Sequence, residues 1–173
     1  MNVVKDDCPQ IKIAPLNVDD FVDFVTESHR KTFRITFESE ITEEFLEKEF
    51  ERMRLDSKND VKSVVGAFSA DEITGLAVLE TRGRADGSQF GWVHFYYVSP
   101  KYRRAGIGTR LVEYSASYYA ALGLTEMCLR TGEHNITAQK FYLGSGFSRV
   151  PEGDKIGLNG INELMMRCAL NPH

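Results

Sequence analysis

The chain has 173 residues, the size of one ordinary domain, and its 42% hydrophobic and 27% charged residues favour a packed core over disorder. A formal net charge of -4 speaks against a nucleic-acid binder, which presents a basic face, and is compatible with a cationic substrate. Met1 to Gln10 contains no apolar signal-peptide core, and no apolar stretch is long enough to span a bilayer, so the expectation is a cytoplasmic protein without a membrane partner.

A short strand is predicted over Ile11 to Pro15. Asn17 then offers an N-cap, with Asp19 and Asp20 where negative charge suits a helix dipole and Val18, Phe21, Val22 and Val25 at helical spacing. A second amphipathic helix starts near Thr42. Phe45, Leu46, Phe50 and Met53 form its apolar stripe, and Glu47, Lys48, Glu49, Glu51 and Arg52 read as a solvated face. The period then becomes that of strands: Val61 to Ser69, Ile73 to Arg82 and, after the Asp86-Gly87 turn, Gln89 to Val98. After Pro100 it is helical again, with Ile107, Leu111, Tyr114, Tyr118 and Leu122 on one face and Gly123 as the stop. Thr125 to Arg130 is a strand, Ile136 to Leu143 a short helix, and Phe147 to Val150 and Glu163 to Leu170 the last strands. A Gly-containing connection, Pro151 to Gly160, lies between those two. The pattern predicts one α/β domain over residues 1–173, a mixed, mostly antiparallel sheet with helices on both faces.

Val98 to Thr109 leaves a strand and enters a helix. Gly106 and Gly108 allow positive φ and close approach of a ligand, the free N–H groups of the first helical turn converge on one spot, and Arg103 and Arg104 add positive charge. The segment reads as a pyrophosphate cradle. A Rossmann fingerprint fails, because Leu111 stands where a third small residue belongs, and a phosphate loop ending in Gly-Lys-Ser/Thr is absent. The three cysteines, Cys8, Cys128 and Cys168, are unclustered and show no zinc-ligand spacing with the histidines, so no metal is expected. Cys128 reads as a small hydrophobe within a strand.

Arg103-x-x-Gly106-x-Gly108, preceded by Val98-x-Pro100, resembles the R/Q-x-x-G-x-G/A motif of the GNAT acetyltransferases. Asn135-x-x-Ala138-x-x-Phe141-Tyr142-x-x-x-Gly146-Phe147 is similar to a second segment of that family. The resemblance is sharp from Phe95 to Phe147 and agrees in element order over nearly the whole chain. It implies the GNAT fold and acetyl-CoA as cosubstrate. The pyrophosphate would lie on Arg103, Arg104, Ala105, Gly106, Ile107, Gly108 and Thr109. Val98 would bind the pantetheine arm and supply the oxyanion donor through its N–H. Asn135 would contact the cofactor, with an N-cap role as the competing explanation.

Acetyl transfer to an amine needs a neutral nucleophile, donors for the oxyanion and an acid for the leaving thiolate. An alkyl ammonium with a pKa of about 10.4 must lose its proton to a base or along a water path. The resemblance implies Tyr142 as the acid. His94 is the candidate base: it lies four residues before Val98, which under strand alternation puts both on one face. Glu80 on the adjacent strand is the competing carboxylate. His134 reads as exposed, and His29 as a minor candidate for the acceptor side. Phe33, Phe37, Glu38 and Glu40, with Glu80, are expected to wall the acceptor site. Those carboxylates, the acidic balance and a likeness to bacterial polyamine acetyltransferases in Thr32-Phe33 and Thr36-Phe37 lean toward a polyamine or another small cationic amine. A protein N-terminus or lysine is the alternative acceptor, and a non-catalytic acyl-CoA sensor the alternative of another class. A homodimer is compatible with the sequence.

Overall fold

The computed structural model describes residues 10–171; Met1 to Pro9, with Cys8, and the last two residues lie outside the described residues. The order is β1 (Ile11–Pro15), α1 (Val22–Phe37), α2 (Glu43–Asn59), β2 (Val64–Ser69), β3 (Glu72–Gly83) and β4 (Gln89–Val98), then α3 (Ile107–Ala121), β5 (Glu126–Gly132), α4 (Ile136–Gly144), β6 (Ser148–Arg149), β7 (Lys155–Ile156) and β8 (Asn162–Ala169). Most of these elements fall where the sequence places them. Asn17 caps only a single 3-10 turn, Val18–Asp20, because Phe21 leaves the helical region with φ −133°. The helix proper begins after that break, so Val22 faces solvent instead of joining the stripe of Val18 and Val25. The Pro151 to Gly160 connection carries the short strand β7, which pairs with β8.

The strands form one sheet in the order β1-β2-β3-β4-β5-β8-β6, antiparallel except where β4 meets β5. Helices cover both faces. On one, Ile107, Leu111, Val112 and Tyr119 of α3 pack on Ala77, Leu79, Val93, Met127 and Leu129. On the other, Val25 and Phe33 of α1 and Leu46, Phe50 and Met53 of α2 pack on Val64, Leu76, Val78 and Tyr97.

Two departures from regular sheet geometry shape the centre of the molecule. First, β3 and β4 pair Val78 with Phe95 and Leu79 with Val93, leaving His94 as an extra residue in a bulge. Second, β4 and β5 pair in parallel only at Gly91↔Met127 and Trp92↔Cys128. Beyond those rungs the ladder stops, although β4 runs on to Val98 and β5 to Gly132. The sheet opens there, and the gap is the floor of a cleft.

Candidate active site

The cleft has a volume of about 1250 Å³ and runs from the start of α3 to the ends of α1 and α2. At one end lies the strand-to-helix turn. Arg104 and Gly106 both take positive φ, 64° and 77°, which folds the segment back so that the first turn of α3 faces the opening. Side chains cap α2 and α4, two of the helices that border the cleft: Thr42 Oγ1 accepts from Phe45 N–H at 3.1 Å, and Asn135 Oδ1 from Ala138 N–H at 3.2 Å. Gly106 supplies no such group to α3. The orphan N–H groups there, with Arg103 and Arg104 alongside, make an arrangement that suits an anion. A Cβ built on Gly106 would meet nothing within 4 Å, so the mouth of the turn is open, as a pyrophosphate requires.

Within that turn the residues play different parts. Arg103, Arg104, Gly106, Gly108 and Thr109 line the cleft, and Ala105 is exposed outside the lining. Ile107 is 1% exposed and anchors the turn in the core, so only its backbone can face a ligand. Gly108 differs from its sequence reading. It lies inside α3, where an added Cβ would come within 3.0 Å of Cζ of Phe141 on α4. Its missing side chain serves the packing of two helices, while the residue itself still lines the cleft in the first turn of α3. Asn135 lines the cleft, but its oxygen is committed to the cap of α4.

Tyr142 enters from α4. Its ring lies 6.3 Å from that of Tyr96 and 5.5 Å from that of Phe147. Burial pushes its phenol above the ordinary range, which keeps the hydroxyl protonated and able to donate.

The bulge alters the expected arrangement of β4. Tyr96 and Val98 pack toward the α3 layer, and Phe95 toward the α1/α2 layer. His94 does not share the face of Val98. It turns toward α2, where its Nε2 lies 2.8 Å from Glu49 Oε2, while Nδ1 lies 3.1 Å from Arg52 Nη1 and 3.4 Å from Glu80 Oε1. An extra residue in one strand breaks the alternation of period two, and that is why counting from Val98 fails.

Glu49 and Arg52, read from the sequence as solvent-facing, therefore line the cleft. Glu49 is only 5% exposed. Burial works against its charge, but the His94 hydrogen bond and the charges of His94, Arg52 and His29 outweigh it and hold the carboxyl below its usual range. A signal was present: Leu46, Glu49, Phe50 and Met53 stand at i, i+3, i+4 and i+7, so Glu49 falls within the apolar stripe. His29 lies behind Glu49, 5% exposed and stacked 4.3 Å from Phe95. Its Nδ1 bonds the Val25 carbonyl at 2.8 Å, its Nε2 is 3.9 Å from Glu49 and otherwise unpartnered, and burial lowers its pKa.

Of the residues expected at the acceptor wall, Phe33 and Phe37 line the cleft with their rings 4.8 Å apart. Glu38 is exposed at the left-handed C-cap of α1 and lies outside the lining; Glu40 is exposed and bonded to Arg34 at 2.6 Å. Glu80 sits behind the lining, held by Arg52 and Arg82, each at 3.0 Å. His134 is exposed at the cleft rim. Cys128 is fully buried, and burial pushes its thiol up to about 11, the environment of an inert packing residue.

A split sheet with an uncapped, arginine-flanked helix start at one end of its cleft and titratable side chains along the other defines a group-transfer enzyme that takes a phosphate-bearing cosubstrate. A model of the acetyltransferase (GNAT) family matches residues 22–147, and the chain belongs to that family: it is an acyl-CoA-dependent N-acetyltransferase. An acetyltransferase of the GNAT family from Staphylococcus aureus Mu50 has a TM-score of 0.71 at 19% identity, over 94% of this chain and 100% of that one. The NatC complex bound to Gag peptide and CoA gives 0.70 at 18% identity, over 94% of this chain and 99% of that one. PaiA N-acetyltransferase from Thermoplasma acidophilum, in complex with coenzyme A, gives 0.65 at 19%, over 92% and 99%. At these identities the likeness is one of fold. No curated protein sequence matches the chain.

Proposed function

We propose that the chain is a cytoplasmic enzyme that acetylates a primary amine by direct attack on acetyl-CoA, with the cosubstrate's pyrophosphate on the Arg103 to Thr109 turn. The observation that carries this reading is the uncapped start of α3 opening into the same cleft as Tyr142 and His94. Acetyl-CoA supplies the activated acyl group. The chain supplies the rest. The Val98 backbone N–H is assigned to the oxyanion, and the buried, protonated Tyr142 hydroxyl gives its proton to the departing thiolate. The amine enters from the α1/α2 side and loses its proton to Nδ1 of His94, with Glu49 holding the opposite Nε2–H at 2.8 Å, in a step that requires Arg52 Nη1, 3.1 Å from Nδ1, to release that lone pair. A carboxylate on one nitrogen of an imidazole fixes its tautomer and supports the positive charge that it gains as a base.

The geometry favours an acceptor other than a polyamine. Glu38 and Glu40 stand outside the cleft, and Glu80 is held by two arginines. The walls that remain are largely aromatic. Phe45 and Ile35, both exposed, stand at the mouth, a surface suited to an amino-acid or peptide amine.

Paired pH–rate profiles test the proton path. His94→Ala and Glu49→Gln should each remove or displace the acidic limb of turnover at saturating acetyl-CoA, whereas Glu80→Gln should leave the limb in place. Profiles of wild type and His94→Ala that superimpose would assign the proton to a water path instead.

A further inference from the structure

The acceptor half of the cleft carries a surplus of positive charge that catalysis does not use. Apart from Arg103 and Arg104 at the cradle, the cations lining it are Arg52, Arg82, Arg130 and Lys155, and the lining carboxylates are Glu49 and Glu163. Glu49 is committed to His94 at 2.8 Å, and Glu163 to Lys155 at 3.1 Å. Glu80, just behind, serves both Arg52 and Arg82. Arg130 is left over. It is half-buried, its Nε and Nη2 donate to the Gly153 carbonyl at 3.0 and 2.9 Å, and among the described residues no carboxylate pairs with it.

Position makes this cation informative. Trp92 and Cys128 are paired across the parallel rungs of β4 and β5. Arg130 stands two residues beyond Cys128 on one lip of the opening, His94 lies beyond Trp92 on the other, and both line the cleft. The guanidinium of Arg130 is 5.2 Å from the Trp92 ring centroid, and that of Arg82 is 4.0 Å from the same ring. Two guanidinium groups held on one indole are oriented in advance; the Nε and Nη2 edge of Arg130 holds the Gly153 carbonyl and that of Arg82 holds Glu80, so the Nη1 side of Arg130 is the part that meets a carboxylate.

We infer that the acceptor amine carries a carboxylate, bound by Arg130 with Arg82 and Trp92 as its support, so that the substrate class is an amino acid or a peptide acidic near its N-terminus. The inference rests on the acetyltransfer reading and names the acceptor of that same site. The overall charge of -4 does not oppose it, because screening confines the field felt by a bound group to its near neighbours.

The test uses matched pairs: L-glutamate against L-glutamine α-amide, and a tetrapeptide with Asp at its second position against the same peptide with Asn, with spermidine as the cationic arm. Each is measured as kcat/KM with acetyl-CoA and as calorimetric affinity for CoA-saturated protein. The carboxylate member of at least one pair should be favoured by about tenfold or more, the range expected when a charged hydrogen-bond partner is gained. The pair that shows it separates the free amino acid from the peptide. Arg130→Gln should erase the preference while keeping CoA affinity, Arg82→Gln should weaken it, and Arg34→Gln, at a guanidinium outside the cleft, should leave it intact. Equal affinity within both pairs, preference for spermidine, or a preference that survives in both Arg130→Gln and Arg82→Gln would overturn the inference. Carboxylate binding without turnover would uphold it and remove the roles given to His94 and Tyr142, whereas acetylation without carboxylate preference would do the reverse.

Discussion

Replacing Gly108 by valine would ordinarily be read as a test of phosphate binding, yet the structure makes it a test of helix packing. A Cβ at Gly108 sits 3.0 Å from Cζ and 3.2 Å from Cε2 of Phe141. Both distances are inside ordinary van der Waals contact, and valine adds two further methyls. Phe141 cannot retreat freely, since it packs against the α3 core and its ring lies 5.5 Å from that of Tyr142. Overpacking of this kind costs about 1–3 kcal/mol, partly offset by up to about 1 kcal/mol from removing a helical glycine. In a domain of this size each kcal/mol moves Tm by roughly 2–4 °C. Gly108→Val without any ligand should therefore melt several degrees lower than wild type. Phe141→Leu should recover part of that loss in the double variant, giving a coupling of about 0.5 kcal/mol or more. Thermal and urea unfolding of the four proteins measures this directly. If Gly108→Val were as stable as wild type, or if its cost simply added to that of Phe141→Leu, the packing argument would be wrong. Gly106→Ala would put its Cβ in open space but at φ 77°, where an L side chain is strained, so its loss of CoA affinity has to be read beside its own unfolding midpoint.

Tyr142→Phe should lower kcat by about 10²–10⁴-fold, the usual worth of a general acid, while calorimetric CoA affinity changes little; retention of more than about half the activity would leave the residue a packing role. Stability should fall on acidification in two steps. His29 is depressed from 6.5 and Glu49 from 4.5. A group whose pKa is lowered by folding contributes stability above its unfolded value and loses it as pH falls toward the folded one. Denaturant midpoints should thus decline below about pH 6.5 and more steeply below about pH 4.5, and Glu49→Gln should flatten the second step; midpoints constant from pH 7 to 4 would refute both assignments. Cys128, fully buried with its thiol pushed up to about 11, should resist a thiol reagent in the native protein at neutral pH and react only on unfolding, as timed by mass spectrometry.

Local rules carried most of the architecture. Thr42 and Asn135 accept hydrogen bonds from the first turns that they precede. Gly123 takes positive φ at the end of α3, and Asp86-Gly87 turns the hairpin, with Gly87 at φ 83°. Each depends on a residue's own chemistry and on neighbours within a few positions, so each is written in the chain. The cradle is of this kind too, because a glycine before a helix and two arginines beside it need no distant partner.

The acceptor side is different, because distant segments decide it. Whether Glu49 meets water or His94 depends on how α2 lies on β4, 45 positions away along the chain. Which way His94 points depends on one extra residue in a ladder, and a bulge is a property of the pairing of two strands, not of either sequence. That Gly108 also makes room for a neighbouring helix emerges only when α4 brings Phe141 against it. Arg130 reaches the cleft, with no carboxylate paired to it among the described residues, only because β4 and β5 separate beyond two rungs. The sequence alone was enough for the class of fold, the open strand-to-helix turn and the family resemblance, since those rest on short-range backbone and capping physics. Only the tertiary structure decided which ionisable side chains meet in the cleft and how they pair, since burial and pairing of such groups arise from contacts between segments far apart in the chain.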